Sequence, residues 1–312
     1  MRHPSRLQKT ILTVLALLLL TGGPTGVLAQ EPPPQAPPAQ GPPPSYPPSE
    51  LDQLVTRIAL YPDPLLAQVL AGATFPDQIP DAAQWADEHH YLRGDDLARA
   101  ITEDHLPWDP SVQALLPFPS VLEMMASDMN WTSELGNAFL AQQQDVMDAV
   151  QRMRKKAYGY GYLRSNAQVV VADGPYVTIV PVNPYYVCVP VYNPLVVFAP
   201  PRPGFFVGGA IGFGFGITLG FAFRPWGWGI SHFVWGSHAL FIGNARWGRT
   251  WVNRRTYVHP YAGVQRYSGP RPAEHHALIK RSEPERRAAR EGHARAEEHH
   301  GGHEAHGEHE RH

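Results

Sequence analysis

The sequence predicts an α+β protein in which an orthogonal helical bundle precedes a small irregular β region and a glycine-rich apolar segment. Apolar residues follow a helical period over residues 49–157, and short β-branched or aromatic runs replace that period after residue 158. The formal charge changes at the same place, from −10 over residues 49–157 to +8 over residues 158–272. The 312 residues include 33 prolines and 28 glycines. Because proline and glycine interrupt helices and strands, this composition excludes a single compact α/β enzyme that spans the whole chain. It predicts low-complexity segments beside the ordered ones.

Residues 1–29 have the pattern of a cleaved secretory signal peptide. Three basic residues precede the ten-residue run ILTVLALLLL, and Val27-Leu28-Ala29 offers small residues for cleavage. A membrane-spanning helix needs about 20 apolar residues, so cleavage after Ala29 is the better interpretation. We therefore expect an exported protein of the periplasm or cell envelope. Residues 30–48, which include ten prolines, are expected to form a disordered polyproline-II linker.

The acidic segment at residues 49–157 has the start and stop signals of several short helices. Ser49 and Asp52 resemble a capping box, and the Asp-Pro pairs at Asp63 and Asp109 predict aspartate N-caps. Further helices are expected at residues 76–90, 95–103, 121–129 and 132–157. Turns set by proline favour an orthogonal bundle over a coiled coil.

The segment at residues 158–203 is predicted to form a small β region with proline-rich edges. The expected strands are Gln168–Val171, Tyr176–Val180, Tyr186–Val189 and Leu195–Phe198.

The glycine-rich segment at residues 204–223 has no charged residue and has a glycine at every fourth position from Gly204 to Gly220. On a helix about 30 Å long, those glycines would form one face suited to insertion in lipid and to self-association. Against this, glycine costs about 1 kcal/mol per residue in a helix in water, and Phe213 and Phe215 alternate with glycines as in a β-hairpin. Membrane insertion and a buried glycine-rich element of a soluble fold both remain open.

Residues 224–272 combine tryptophan, tyrosine and arginine and contain no acidic residue. Such a mixture suits an anionic membrane or a cell-wall surface, and an exported protein is not expected to meet nucleic acid. The simplest alternative is an aromatic-packed β region whose positive face docks on the acidic helices.

The tail at residues 273–312 contains nine histidines and is expected to be disordered. A solvated charged tail is the simplest interpretation, weak binding of a divalent transition metal is the alternative, and no other cofactor is expected. The candidate metal ligands are His299, His300, His303, His306 and His309.

No residue pattern predicts catalysis. Aspartates that could form a carboxylate pair lie near helix starts, where capping explains them. Cys188 lies in the apolar run VCVPVY, where a buried, inert thiol is expected. The sequence therefore predicts a non-enzymatic protein that binds or scaffolds at an envelope surface, with metal buffering through the tail as the alternative.

The stretches LDQLVTRIALYPDPLLAQVLAGATFPDQI, WDPSVQALLPFPSVLEMM, WTSELGNAFLAQQQDVMDAVQRMR and VCVPVYNP resemble a bacterial family of unknown function, number 3300 in that series. The resemblance runs from about residue 49 to residue 200 and implies an exported envelope protein. It implies no substrate, cofactor or catalytic residue. Pro80 departs from the family pattern, in which an uninterrupted helix follows the turn at Pro76.

Overall fold

The computed structural model describes residues 41–201, 204, 207–214 and 216–260. The predicted signal peptide, most of the proline-rich linker and the tail with its five candidate metal ligands, His299, His300, His303, His306 and His309, lie outside these residues. Within them the chain combines helices with small antiparallel sheets, which confirms the α+β class.

The helices occupy the first half of the described chain. They are α1 (Pro48–Val55), α2 (Asp63–Ala73), α3 (Ile79–Glu88), α4 (Gly94–Glu103), α5 (Pro110–Gln113), α6 (Pro119–Ser127), α7 (Met129–Ala141) and α8 (Gln143–Gly159). A 3₁₀ turn at Pro76–Gln78 leads into α3. Pro80 stands in the first turn of α3, where its missing N–H leaves no helical hydrogen bond unmade.

Helix α2 lies at the centre of the bundle. Ten of its eleven residues are buried, which explains its nearly continuous apolar sequence. Gly136 of α7 permits a close crossing with α2, because a Cβ atom at Gly136 would lie 1.9 Å from the carbonyl oxygen of Ala73.

Two predicted helix features are wrong. Helix α1 begins at Pro48, so Ser49 lies inside the helix and forms no capping box. The single helix predicted over residues 132–157 is two helices, which separate at Gln142. The Gln142 side chain bonds the chain segment before α1 by accepting from Tyr46 N at 2.6 Å and donating to Tyr46 O at 3.3 Å.

In the described part of the chain, the strands follow in four small antiparallel sheets. They are β1 (Val169–Ala172), β2 (Thr178–Pro181), β3 (Tyr186–Val187), β4 (Pro190–Tyr192), β5 (Ile211–Phe213), β6 (Ile217–Thr218), β7 (His232–Val234), β8 (Ala239–Ile242) and β9 (Ala245–Arg246). The pairs are β1–β2, β3–β6 and β4–β5, and the last sheet has the order β7-β8-β9.

The predicted strand at Leu195–Phe198 is wrong. Residues Pro194–Val197 form a short helix, α9, and the Asn193 side chain accepts a hydrogen bond from Leu195 N as its N-cap. Asn-Pro therefore starts a helix here, where the apolar run alone indicated a strand.

The glycine-rich segment forms β5, β6 and part of a 3₁₀ turn at Phe221–Trp226 in its described residues. Its described part contains no α-helix, so the helical interpretation is wrong there and the β interpretation agrees with the structure. No helix among the described residues has the length and apolarity needed to cross a bilayer.

A basic groove on the aromatic-rich segment

A buried ion pair holds the start of α2 against α8. Arg154 is fully buried, and its Nη1 donates to Asp63 Oδ1 at 2.6 Å. The same guanidinium donates to the carbonyls of Ala59, Tyr61 and Val177. These contacts satisfy a charge that would be costly if it were buried alone, so we assign the cluster a structural role.

Two indole rings fix the aromatic-rich segment on the helices. Trp226 donates from Nε1 to Gln113 Oε1 at 2.9 Å, and the fully buried Trp228 donates to the Ala114 carbonyl at 3.0 Å. Gln68 of α2 donates to the Trp226 carbonyl at 2.9 Å. These hydrogen bonds therefore hold the 3₁₀ turn at Phe221–Trp226 against the helical segment.

Arg249 fixes the end of the same segment. Its guanidinium lies 3.6 Å from the Phe75 ring centroid and donates to both the carbonyl and the hydroxyl of Thr74, at the end of α2. It also donates to the Arg254 carbonyl. Burial lowers the pKa of Arg249, and the nearby Asp109 and Asp77 carboxylates oppose that shift.

Beside the 3₁₀ turn at Phe221–Trp226 lies an open groove with a volume of about 590 Å³. One wall comes from the 3₁₀ turn and the other from the β8–β9 hairpin. Its lining residues are Phe221, Arg224, Pro225, Ile230, Ile242, Gly243, Asn244, Ala245 and Pro260. Apolar groups therefore form most of the walls, and a guanidinium and a carboxamide are available at the rim.

Three arginines of the aromatic-rich segment are exposed. Arg224 lines the groove, Arg246 follows the wall residue Ala245 in β9, and Arg255 lies in the last described turn. None of the three forms an ion pair with a carboxylate within the described ranges. We call the exposed surface of residues 224–260 that carries these three arginines the basic face.

Arg246 lies on the exposed side of the β7-β8-β9 sheet. His232 pairs with Phe241, which pairs with Arg246 on the next strand. The His232 and Phe241 rings are parallel, with centroids 5.0 Å apart. A cation thus ends a row of stacked rings, an arrangement that can meet an anionic surface.

Near the groove, His259 is buried and stacks on Trp247 with ring centroids 5.4 Å apart. Burial lowers the pKa of His259 to about 4, while a bond to the Ala245 carbonyl opposes the shift. This imidazole is neutral at pH 7 and adds no charge to the basic face.

Three carboxylates near helix ends, those of Asp63, Asp104 and Asp109, have structural partners. Asp109 accepts from Ser111 N at 2.9 Å, which confirms it as an N-cap, and burial raises its pKa. Asp63 is not the predicted N-cap, because its carboxylate binds Arg154. Asp104 accepts from Trp85 Nε1 at 2.8 Å.

Cys188 is buried as predicted, and burial raises the pKa of its thiol. The described residues contain no group of three or more histidine, cysteine, aspartate or glutamate side chains that could hold a metal ion.

The sequence indicated the basic and aromatic composition of the segment at residues 224–272. It did not indicate the groove, whose two walls are about 20 residues apart in the chain.

Residues 47–267 match the model of the family described as "Protein of unknown function (DUF3300)", so this chain belongs to that family. The chain is also similar to the uncharacterized protein YacH of Escherichia coli (strain K12), with 36% identity over 183 residues. That match covers 48% of this chain and 29% of the relative. No solved structure matches the chain.

Proposed function

We propose that this chain is a non-enzymatic protein of the cell envelope that binds an anionic surface, either a membrane or the cell wall, through its basic face. The observation that carries the proposal is the set of three exposed guanidinium groups without carboxylate partners in the described residues. Arginines in such a position retain their attraction for external anions. The predicted signal peptide supports export to the compartment where such surfaces lie.

Sedimentation with vesicles and with purified cell-wall sacculi tests this function. Vesicles of phosphatidylglycerol mixed with phosphatidylcholine should bind the protein, and phosphatidylcholine alone should bind it poorly. Binding should weaken as salt rises, because salt screens exposed charges. Sacculi are the second arm, and binding to them alone would assign the surface to the wall.

The matched variants are Arg246→Glu on the basic face and Lys155→Glu on α8, where the lysine is also exposed. Both change the net charge by the same amount. Each charge near an anionic surface contributes about 1 kcal/mol, so Arg246→Glu should weaken binding roughly 30-fold, while Lys155→Glu should change it little. Equal effects of both variants would show that only net charge matters and would contradict a defined face.

Metal buffering through the tail is the second candidate function, favoured by nine histidines within residues 273–312. Its five named ligands lie outside the described residues. Zinc or nickel titration of a variant that lacks the tail should show a loss of binding capacity, and unchanged capacity would eliminate this candidate.

A further inference from the structure

We propose that the groove holds one anionic lipid headgroup, with the phosphate at Arg224 and the adjoining apolar part of the lipid against the groove walls. This inference rests on the proposed function, because it names the ligand of the same face. It selects the membrane over the cell wall as the surface that the groove recognises.

The polar rim supplies the anion recognition. The Arg224 side chain is exposed, and no carboxylate among the described residues pairs with it. A guanidinium can donate two parallel hydrogen bonds to phosphate oxygens. Asn244 lines the same groove and is exposed, so its carboxamide adds donors for a phosphate or glycerol oxygen.

The walls select an apolar portion in the ligand. Phe221 is 70% exposed and packs on Tyr185 with ring centroids 4.8 Å apart, so its ring is held in place without being covered. Ile230 and Ile242 line the groove as well. A site for a free anion needs no such walls, and a volume of about 590 Å³ suits a ligand larger than phosphate.

The neighbouring acidic helix favours one headgroup over a polyanion. Helix α4 contacts the 3₁₀ turn at Phe221–Trp226, and a Cβ atom at Gly220 would lie 4.0 Å from Asp95 Oδ1. The Asp96 carboxylate is exposed beside it. A polymer of negative charges that continued across Gly220 would meet the Asp95 carboxylate, whereas a single phosphate bound to the Arg224 guanidinium need not extend that far.

Calorimetric titration of the full-length protein with a short-chain lipid below its micelle concentration tests the inference. Dihexanoylphosphatidylglycerol should bind saturably, and dihexanoylphosphatidylcholine and inorganic phosphate should each bind at least about tenfold more weakly. Arg224→Gln should weaken binding of the anionic lipid about tenfold, as expected for the loss of charged hydrogen bonds. Phe221→Ala should weaken it several-fold through loss of apolar contact.

Two variants provide the controls. Lys155→Gln removes an exposed cation, and Val252→Ala shortens an 81%-exposed side chain that does not line the groove. Both should bind the lipid as the unchanged protein does. All four replaced side chains are exposed, so the variants should fold.

The outcomes separate this inference from the function on which it rests. Inorganic phosphate binding as tightly as the lipid would identify a plain anion site and overturn the inference. Full lipid binding by Arg224→Gln or Phe221→Ala would overturn it as well. If anionic vesicles still bound the protein and Arg246→Glu still weakened that binding, the proposed function would stand alone. If the protein bound neither vesicles nor sacculi, that result would contradict both the proposed function and the headgroup site.

Discussion

At the scale of single residues, identical local patterns lead to different roles. Asp63 and Asp109 each precede a proline at the start of a helix, and the sequence predicts an N-cap at both. Asp109 caps its helix, while Asp63 binds Arg154, which lies 91 residues later in the chain. The cap depends on local geometry and is readable from sequence. The ion pair depends on how α2 packs against α8, and no local sequence pattern predicts that packing.

Breaking the buried pair should be far more costly than breaking an exposed one. Asp63→Ala leaves the fully buried Arg154 guanidinium without its carboxylate, so we expect the free energy of unfolding to fall by about 3–5 kcal/mol. Asp96→Ala breaks the Arg99–Asp96 pair, whose side chains are 62% and 67% exposed, and should cost less than about 1 kcal/mol. Urea denaturation measures both values. Similar losses in the two variants would contradict the structural role assigned to Asp63.

At the scale of elements, helix existence follows from apolar stripes, whereas breaks and short elements do not. The sequence predicts one helix over residues 132–157 because no proline or glycine signals an end near Gln142. Tertiary hydrogen bonds from that side chain to Tyr46 accompany the break. The groove was not predictable for a related reason. Its walls are a 3₁₀ turn and a hairpin with strands of four and two residues, all too short to have a clear periodic pattern.

The crossing of α2 and α7 should depend on the missing side chain of Gly136. Gly136→Ala places a methyl group where the Ala73 carbonyl already lies, so the helices must separate, and we expect a loss of about 3 kcal/mol. Gly159→Ala is the matched control, because it lies in the last turn of α8 with no atom within 4 Å of its added Cβ. That control should be neutral or slightly stabilising. Thermal unfolding of both variants measures the difference in stability. A Gly136→Ala protein as stable as the Gly159→Ala control would contradict the close crossing.

At the scale of the whole molecule, charge and packing divide the chain differently. Composition predicts separate segments at residues 49–157 and 158–203, and that boundary stays a prediction. A single hydrophobic cluster nevertheless contains buried residues of the helices together with Phe223, Trp228 and Leu240. Contacts across the boundary are apolar packing and hydrogen bonds of indole, amide and guanidinium groups, with the Asp148–His238 pair at 2.8 Å as an ion pair between the two segments. Attraction between opposite charges therefore accounts for only a small part of the described contacts that join the two segments.

This shared core leads us to expect that a fragment of residues 49–157 is helical but weakly packed. Without the aromatic-rich segment, the Ala114 carbonyl loses its indole donor, and the apolar surface under Trp226 and Trp228 meets water. Removing a large buried aromatic side chain costs about 3–5 kcal/mol, so the loss of both should lower the free energy of unfolding by at least about 5 kcal/mol. Far-UV circular dichroism should report retained helix, and urea titration should report an earlier and broader transition than in a chain of residues 42–260. A fragment as stable as that longer chain would contradict the shared core and establish residues 49–157 as an independent domain.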